Sequence, residues 1–356
     1  MKRILYSLIN CLNLGFNLII KYKIIYLFIL FLSFLLTSHT TFKLLTLENK
    51  INTIKNNITL KLENYVKIEY SNVENNYHNG ALGLANCLKI PLNETELTSK
   101  MNEIKNELEN LFNESELNFA FKYKDIYTGF SLSYNSNQNI FAASTIKAPE
   151  AIYIYKEAEN KNIDLNDTLT YTDNFYSDGT GILKDTPPNK AYNIHDLVKY
   201  SIVNSDNIAH LILNSKYGSQ NIYNYWKNLG TTIIYNNNGP WGNINANDAT
   251  IIMEELYNYY MDNNYSFNEE LINYFINSWK IISNPNKNIK IASKSGWSNT
   301  SLHDIALIFD ENPYILVILT NRGYVEYQSF FNKVSSLIAE FQNLYWEEKM
   351  NRCINI

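Results

Sequence analysis

The chain has 356 residues, with 30 Lys and Arg against 35 Asp and Glu for a net charge of −5, and is 46% hydrophobic. That apolar content is ample for a packed core and excludes wholesale disorder. The mild acidic balance, with no Lys/Arg block, gives no electrostatic footprint for nucleic acid. Length suggests about two domains. Cys11, Cys87 and Cys353 lie far apart without CxxC spacing, which argues against a disulfide scaffold or a zinc module. The histidines (His39, His78, His195, His210, His303) show no metal-ligand spacing and read as structural or surface groups, with His303-Asp304 a modest exception. Neither metal nor cofactor is expected.

The amino terminus bears on the compartment. Ile24–Leu36 is apolar apart from Ser33, and the stretch extends to about Phe42, long enough to supply the ~20 residues of a membrane-spanning helix. Lys2, Arg3, Lys21 and Lys23 precede it, so the positive-inside rule keeps the amino terminus in the cytoplasm and sends the rest of the chain outside. No A-x-A-like cleavage site follows, which favours an uncleaved anchor over a signal peptide. Ile4–Ile20 is apolar with Asn10, Asn13 and Asn17 on one helical face, as in an interfacial helix or an overlong leader. Residues 1–43 are thus read as leader and transmembrane anchor.

Beyond it, Leu47, Ile51, Ile54, Ile58, Leu62 and Tyr65 recur at threes and fours, and 70–92 is polar and then Gly/Leu-rich. This makes 44–93 a helical stalk with a linker. Leu97, Met101, Ile104, Leu108 and Leu111 predict a helix capped by Thr95 or Thr98. The period then switches to two: Leu117, Phe119, Phe121 and Tyr123, then Phe130, Leu132 and Tyr134, predict an antiparallel hairpin. From 145 to about 285 the pattern is mostly helical. Leu302–Phe309 and Tyr314–Thr320 predict a second hairpin, and Val334, Leu337, Ile338, Phe341 and Tyr345 a last helix. Strands at both ends with helices between imply an α+β fold whose sheet is assembled from distant segments, with a helical lobe inserted.

Three short motifs carry chemistry. Ser144-Thr145-Ile146-Lys147 opens a helix, so the amine of Lys147 can reach the Ser144 hydroxyl. A serine becomes a nucleophile only when a neighbouring base takes its proton. Ser205-Asp206-Asn207 lies between two helical stretches: Ser205 can relay a proton, Asn207 can hold a substrate amide, and Asp206 can pin the loop. Lys294-Ser295-Gly296 follows the β-prone run Ile289–Ala292, offering a cation and a hydroxyl to a carboxylate and a glycine that allows close approach. Taken singly, each also fits a plainer reading: a surface serine near a lysine, a helix cap, a polar edge strand.

S-x-x-K, S-D-N and K-T-G together are the signature of class A β-lactamases and penicillin-binding proteins. With all three in order, and serine replacing the threonine of the third, the chain resembles the penicillin-recognising serine hydrolases, most closely their class A β-lactamase-like branch. The likeness spans about residues 94–349, including the Gly179–Leu183 loop; the remainder, 350–356, reads as a tail.

The resemblance implies that Ser144 forms an acyl-enzyme, with Lys147 as its base and Ser205 as proton shuttle. It further implies an oxyanion hole from the Ser144 and Trp297 amides, with Asn207, Lys294, Ser295 and Gly296 also binding substrate. The substrates implied are β-lactams or D-alanyl-D-alanine peptides. Class A enzymes also carry a deacylating glutamate between the second and third motifs; Tyr217–Asn247 contains neither Glu nor Asp. Glu254 and Glu255 fall in a helical run and are expected to face solvent. Three readings stay open: slow β-lactam hydrolysis, a cell-wall peptidase acting on peptidoglycan, and a sensor acylated once. The last has only about the first 23 residues for a cytoplasmic signalling part.

Overall fold

The computed structural model describes residues 84, 86–115, 118–232, 234–235, 240–321 and 327–354. The predicted anchor, 1–43, and most of the predicted stalk, 44–93, lie outside them. Among the described residues no helix is long and apolar enough to cross a membrane.

In chain order the elements are α1 (Ser99–Glu114), β1 (Phe119–Asp125), β2 (Ser131–Tyr134), β3 (Ile140–Phe141), α2 (Lys147–Glu159), β4 (Thr168–Tyr171) and β5 (Lys190–Asn193). Then come α3 (Ile194–Val203), α4 (Asn207–Tyr217), α5 (Ser219–Asn228), β6 (Ile234–Tyr235), β7 (Gly242–Ile244), α6 (Ala246–Met261) and α7 (Asn268–Ile276). The chain closes with β8 (Lys290–Ser298), β9 (Ser301–Phe309), β10 (Tyr314–Thr320) and α8 (Gln328–Ile354).

The main sheet has the order β2-β1-β10-β9-β8. Strands from both ends of the chain meet where β1 pairs antiparallel with β10, Phe119 opposite Thr320 and Asp125 opposite Tyr314. This is the α+β architecture expected from the sequence. Alternation sends Phe119, Phe121, Tyr123, Leu316 and Ile318 into one apolar layer and Ala120, Ile315, Val317 and Leu319 into another, because successive side chains of a strand point to opposite faces. The first layer is covered by α1 and α8, the second by the helical lobe.

Helix α1 buries Met101, Ile104, Leu108 and Phe112, and the Thr98 side chain accepts from the Met101 amide as its cap. The last buried position is Phe112 rather than Leu111, a drift that follows from 3.6 residues per turn. Helix α8 buries Val334, Leu337, Ile338, Phe341 and Tyr345.

The structure departs from the sequence reading in three places. The segment 145–285 is mostly helical, as its pattern predicts, but it also carries short strands that the pattern does not show: β4 pairs with β5, and β7 joins β3 to β6. Residues 350–354 continue α8 rather than forming a tail. Finally, Cys87 and Cys353 are bonded to each other across 266 positions. Helical residues 86–89 and buried Leu92 are thereby tied to the domain, although the sequence reads them as linker. The wide spacing that argued against disulfides says nothing about distance once the segment around Cys87 and the end of α8 meet.

Candidate active site

The site lies where α2, the start of α4 and the edge strand β8 converge. Ser144 sits in a 3-10 turn, Ala143–Ile146, leading into α2. The residue before it, Ala143, has φ +45°, and Ser205 has φ +50°. Such left-handed backbone at non-glycine residues is strained and is held in place only by its surroundings. Both strained residues border the same cluster of side chains.

Lys147 is fully buried. Its Nζ donates to the Ser205 carbonyl at 2.6 Å and to Asn207 Oδ1 at 2.8 Å. It also lies 3.2 Å from Ser144 Oγ and 3.3 Å from Ser205 Oγ. Lys294 Nζ donates to Ser205 Oγ and to the Ser295 carbonyl, both at 3.0 Å. Burial, and then the like charge of Lys294, hold Lys147 well below the ordinary lysine range against the opposing pull of Asp206 and Glu150. Lys294 is itself lowered by burial to about 7, with Asp304 pulling the other way. Two lysines sharing one serine hydroxyl cannot both carry a proton cheaply.

Asp206 pins the neighbouring loop. Its Oδ2 accepts from the amides of Ile182 and Leu183, and its Oδ1 from Ala209. The approach is so close that a Cβ on Gly181 would fall 2.4 Å from the carboxylate. Thr180 Oγ1 donates to the Ser205 carbonyl at 2.7 Å, a contact that the sequence reading did not foresee. Asn207 uses one hydrogen of its amide on the Asp178 carbonyl, at 3.0 Å, leaving its second N–H for another partner.

Two expectations for the third motif change in detail. A Cβ on Gly296 would lie 2.9 Å from the Ala142 carbonyl and 3.1 Å from the Ser144 amide. The glycine therefore accommodates the turn that carries Ser144 and brings the Gly296–Trp297 peptide beside the Ser144 N–H. Ser295 Oγ donates to the Trp279 carbonyl at 2.9 Å, so that proton must be redirected before it can serve a carboxylate. Trp297 is exposed.

His303 and Asp304 are buried on β9 behind the site. Thr320 N donates to His303 Nδ1, which fixes the proton on Nε2, 2.8 Å from the Phe141 carbonyl; burial lowers this histidine to about 4. Asp304 accepts from the amides of Ile281 and Ile282 and is raised by burial to about 6. Glu254 and Glu255 are not free in solvent: they form half-buried ion pairs with Lys124 and Lys156. Among the described residues, no carboxylate hydrogen-bonds Ser144 or Lys147, and no group of His, Cys, Asp and Glu could hold a metal ion.

The family model described as "Beta-lactamase enzyme family" matches residues 103–342, and the chain belongs to that family of serine hydrolases. Among solved structures, the penicillin G acyl-enzyme of a PBP-A mutant superposes with a TM-score of 0.62 at 19% identity, covering 69% of this chain and 97% of that one. A β-lactamase from Sphaerobacter thermophilus gives 0.56 at 15% identity, covering 71% and 98%. One from Francisella tularensis gives 0.57 at 19%, covering 68% and 99%. At these identities the structural likeness establishes the fold alone. No curated protein matches the chain by sequence.

Proposed function

We propose that the protein is a serine hydrolase that opens β-lactams by forming an acyl-enzyme on Ser144 and releases the product slowly. The observation that carries this reading is the continuous chain Ser144–Lys147–Ser205–Lys294, every link between 3.0 and 3.3 Å. A neutral Lys147 has two hydrogens, matching the two carbonyl oxygens at 2.6 and 2.8 Å, and its lone pair then faces Ser144 Oγ. The Ser144 oxygen bonds to the lactam carbonyl carbon while its proton passes to Lys147. The amides of Ser144 and Trp297 hold the developing oxyanion, an arrangement in which one donor contributes about 3–4 kcal/mol. As the lactam C–N bond breaks, the Ser205 hydroxyl delivers a proton to nitrogen and Lys147 resupplies it. Lys294, Ser295 and Asn207 hold the substrate's carboxylate and amide.

Slow release rests on the missing carboxylate in Tyr217–Asn247. The same absence favours a second reading, in which the physiological substrates are D-alanyl-D-alanine peptides of the cell wall and β-lactams merely mimic them. A position outside the cytoplasmic membrane, held by the segment at 24–42, agrees with the Cys87–Cys353 disulfide, since such bonds persist in oxidising compartments.

Intact mass after mixing with a simple penicillin, followed over time, tests the reading. Drug loss with an adduct on Ser144 that decays over minutes or longer is expected. An adduct that never decays favours the peptidase reading. A chain with neither adduct nor drug loss does not have the proposed activity.

A further inference from the structure

One buried carboxyl–imidazole pair beside the site takes no part in the mechanism above. Glu150 lies three residues after Lys147 on α2, and His210 three residues after Asn207 on α4, so on each helix the two side chains share a face. The helices are therefore joined by two successive rungs: Lys147 Nζ to Asn207 Oδ1 at 2.8 Å, and His210 Nδ1 to Glu150 Oε2, also 2.8 Å. Trp241 closes both rungs on one side. Its ring centroid lies 5.5 Å from Lys147 Nζ and 4.8 Å from the centre of the His210 ring.

The second rung is poorly suited to be only a staple. Glu150 and His210 are 1% and 0% exposed, and Glu150 Oε1 and His210 Nε2 have no hydrogen-bond partner among the described residues. Two apolar side chains would hold the helices together without desolvating a carboxylate. A buried charge acts strongly on its neighbours because little water screens it.

We propose that Glu150, held in place by His210, is a positioning residue for acylation: its buried carboxyl is the counter-charge that, against Lys294, sets how readily Lys147 gives up its proton. This rests on the acyl-enzyme reading above. The charged groups acting on Lys147 are Glu150 from its own helix, Asp206 from the α4 side and Lys294 from β8, with the Ser144 and Ser205 hydroxyls at 3.2 and 3.3 Å, His210 against Glu150 and Asp304 behind Lys294. Asp206 is committed to three backbone amides. Glu150, with one hydrogen bond, is left as the adjustable anion.

The test is the acylation rate by a simple penicillin, measured against pH on the full chain. Glu150→Gln keeps the shape and a hydrogen bond to His210 but removes the charge. Lys147 then loses its proton more easily, and the acidic limb of the profile moves to lower pH by roughly one unit. Glu150→Asp restores the charge and returns the limb toward that of the unaltered chain. A Glu150→Gln protein that acylates more slowly with its limb unmoved assigns the pair to structure alone and overturns the inference. If Glu150→Gln gives no cooperative melt, the apolar double variant Glu150→Met with His210→Phe carries the test. It removes the carboxylate while keeping the two helices packed, so the limb again moves to lower pH; an unmoved limb overturns the inference. Absence of any adduct on the unaltered chain overturns the acyl-enzyme reading and this inference with it. An adduct on the unaltered chain combined with an unmoved limb in the variant leaves that reading intact.

Discussion

The two sides of the main sheet bury charge in opposite ways. On the α1/α8 side, Asp125 is completely buried, and four donors meet it. Thr128 N and Oγ1 donate to Oδ1, while Gln342 Nε2 and Trp346 Nε1 donate to Oδ2. Nothing there is left over for a ligand. On the lobe side, two lysines are buried within reach of one serine hydroxyl, each held below its ordinary range, beside two residues in left-handed backbone. A satisfied buried charge ties elements together; a set of charges held close against their preference stores reactivity. The same sheet supports both.

That contrast can be broken in order of effect. Ser144→Ala is expected to abolish covalent labelling by penicillin, read by intact mass, while leaving the thermal melt in place; undiminished labelling would remove Ser144 from the chemistry. Lys147→Ala should slow acylation by roughly a thousandfold, within the usual range for a lost general base. Its melting temperature should hold or rise, since a fully buried amine held away from its preferred charged state has gone. Asp125→Ala should do the reverse. Leaving four buried donors without an acceptor costs about 3 kcal/mol or more, visible in denaturant unfolding, whereas the acylation rate of the folded fraction should match that of the unaltered chain. If Asp125→Ala instead slowed acylation with little loss of stability, the division between the two sides would fail.

The smallest effect is on pH dependence. Lys294 titrates near 7 in the folded protein, against the ordinary 10.5. Between those values the unfolded chain binds a proton that the folded chain does not, so stability rises with pH across this window. Lys147, lowered in the same direction, adds to the rise. Lys294→Met should therefore flatten the increase in unfolding free energy between pH 7 and 9; an equally steep slope would mean that Lys294 is not the group responsible.

Much of this arrangement is legible in the sequence because it is local or periodic. Strands β1, β9 and β10 announce themselves by alternation or by apolar runs, α1 and α8 by recurrence at threes and fours, and Lys147 by its distance from Ser144. What stays hidden is whatever depends on pairing between remote segments. Strands β3 and β6 have two residues each, too few for a period. The meeting of Glu150 with His210 requires knowing that α2 and α4 lie side by side; only the matching offset of three from Lys147 and Asn207 hints at it. The Ser295 hydroxyl bound to the Trp279 carbonyl and the pairing of Cys87 with Cys353 carry no local signal at all. The signature motifs, by contrast, are readable as a set, the first two at helix starts and the third inside the edge strand β8.

The disulfide has a topological consequence. With Cys87 bonded to Cys353, the chain between them is a covalent ring that contains every element from α1 to β10 and nearly all of α8. A single peptide-bond cut anywhere inside that ring opens it without dividing the molecule. A protease that nicks one surface loop would thus leave a protein that still runs as one species on a gel without reductant and separates into two pieces only when thiol is added. Both ends of the domain meet at one covalent knot, so tension applied through the amino-terminal segment is carried directly into the base of α8 and bypasses the sheet and the site it supports.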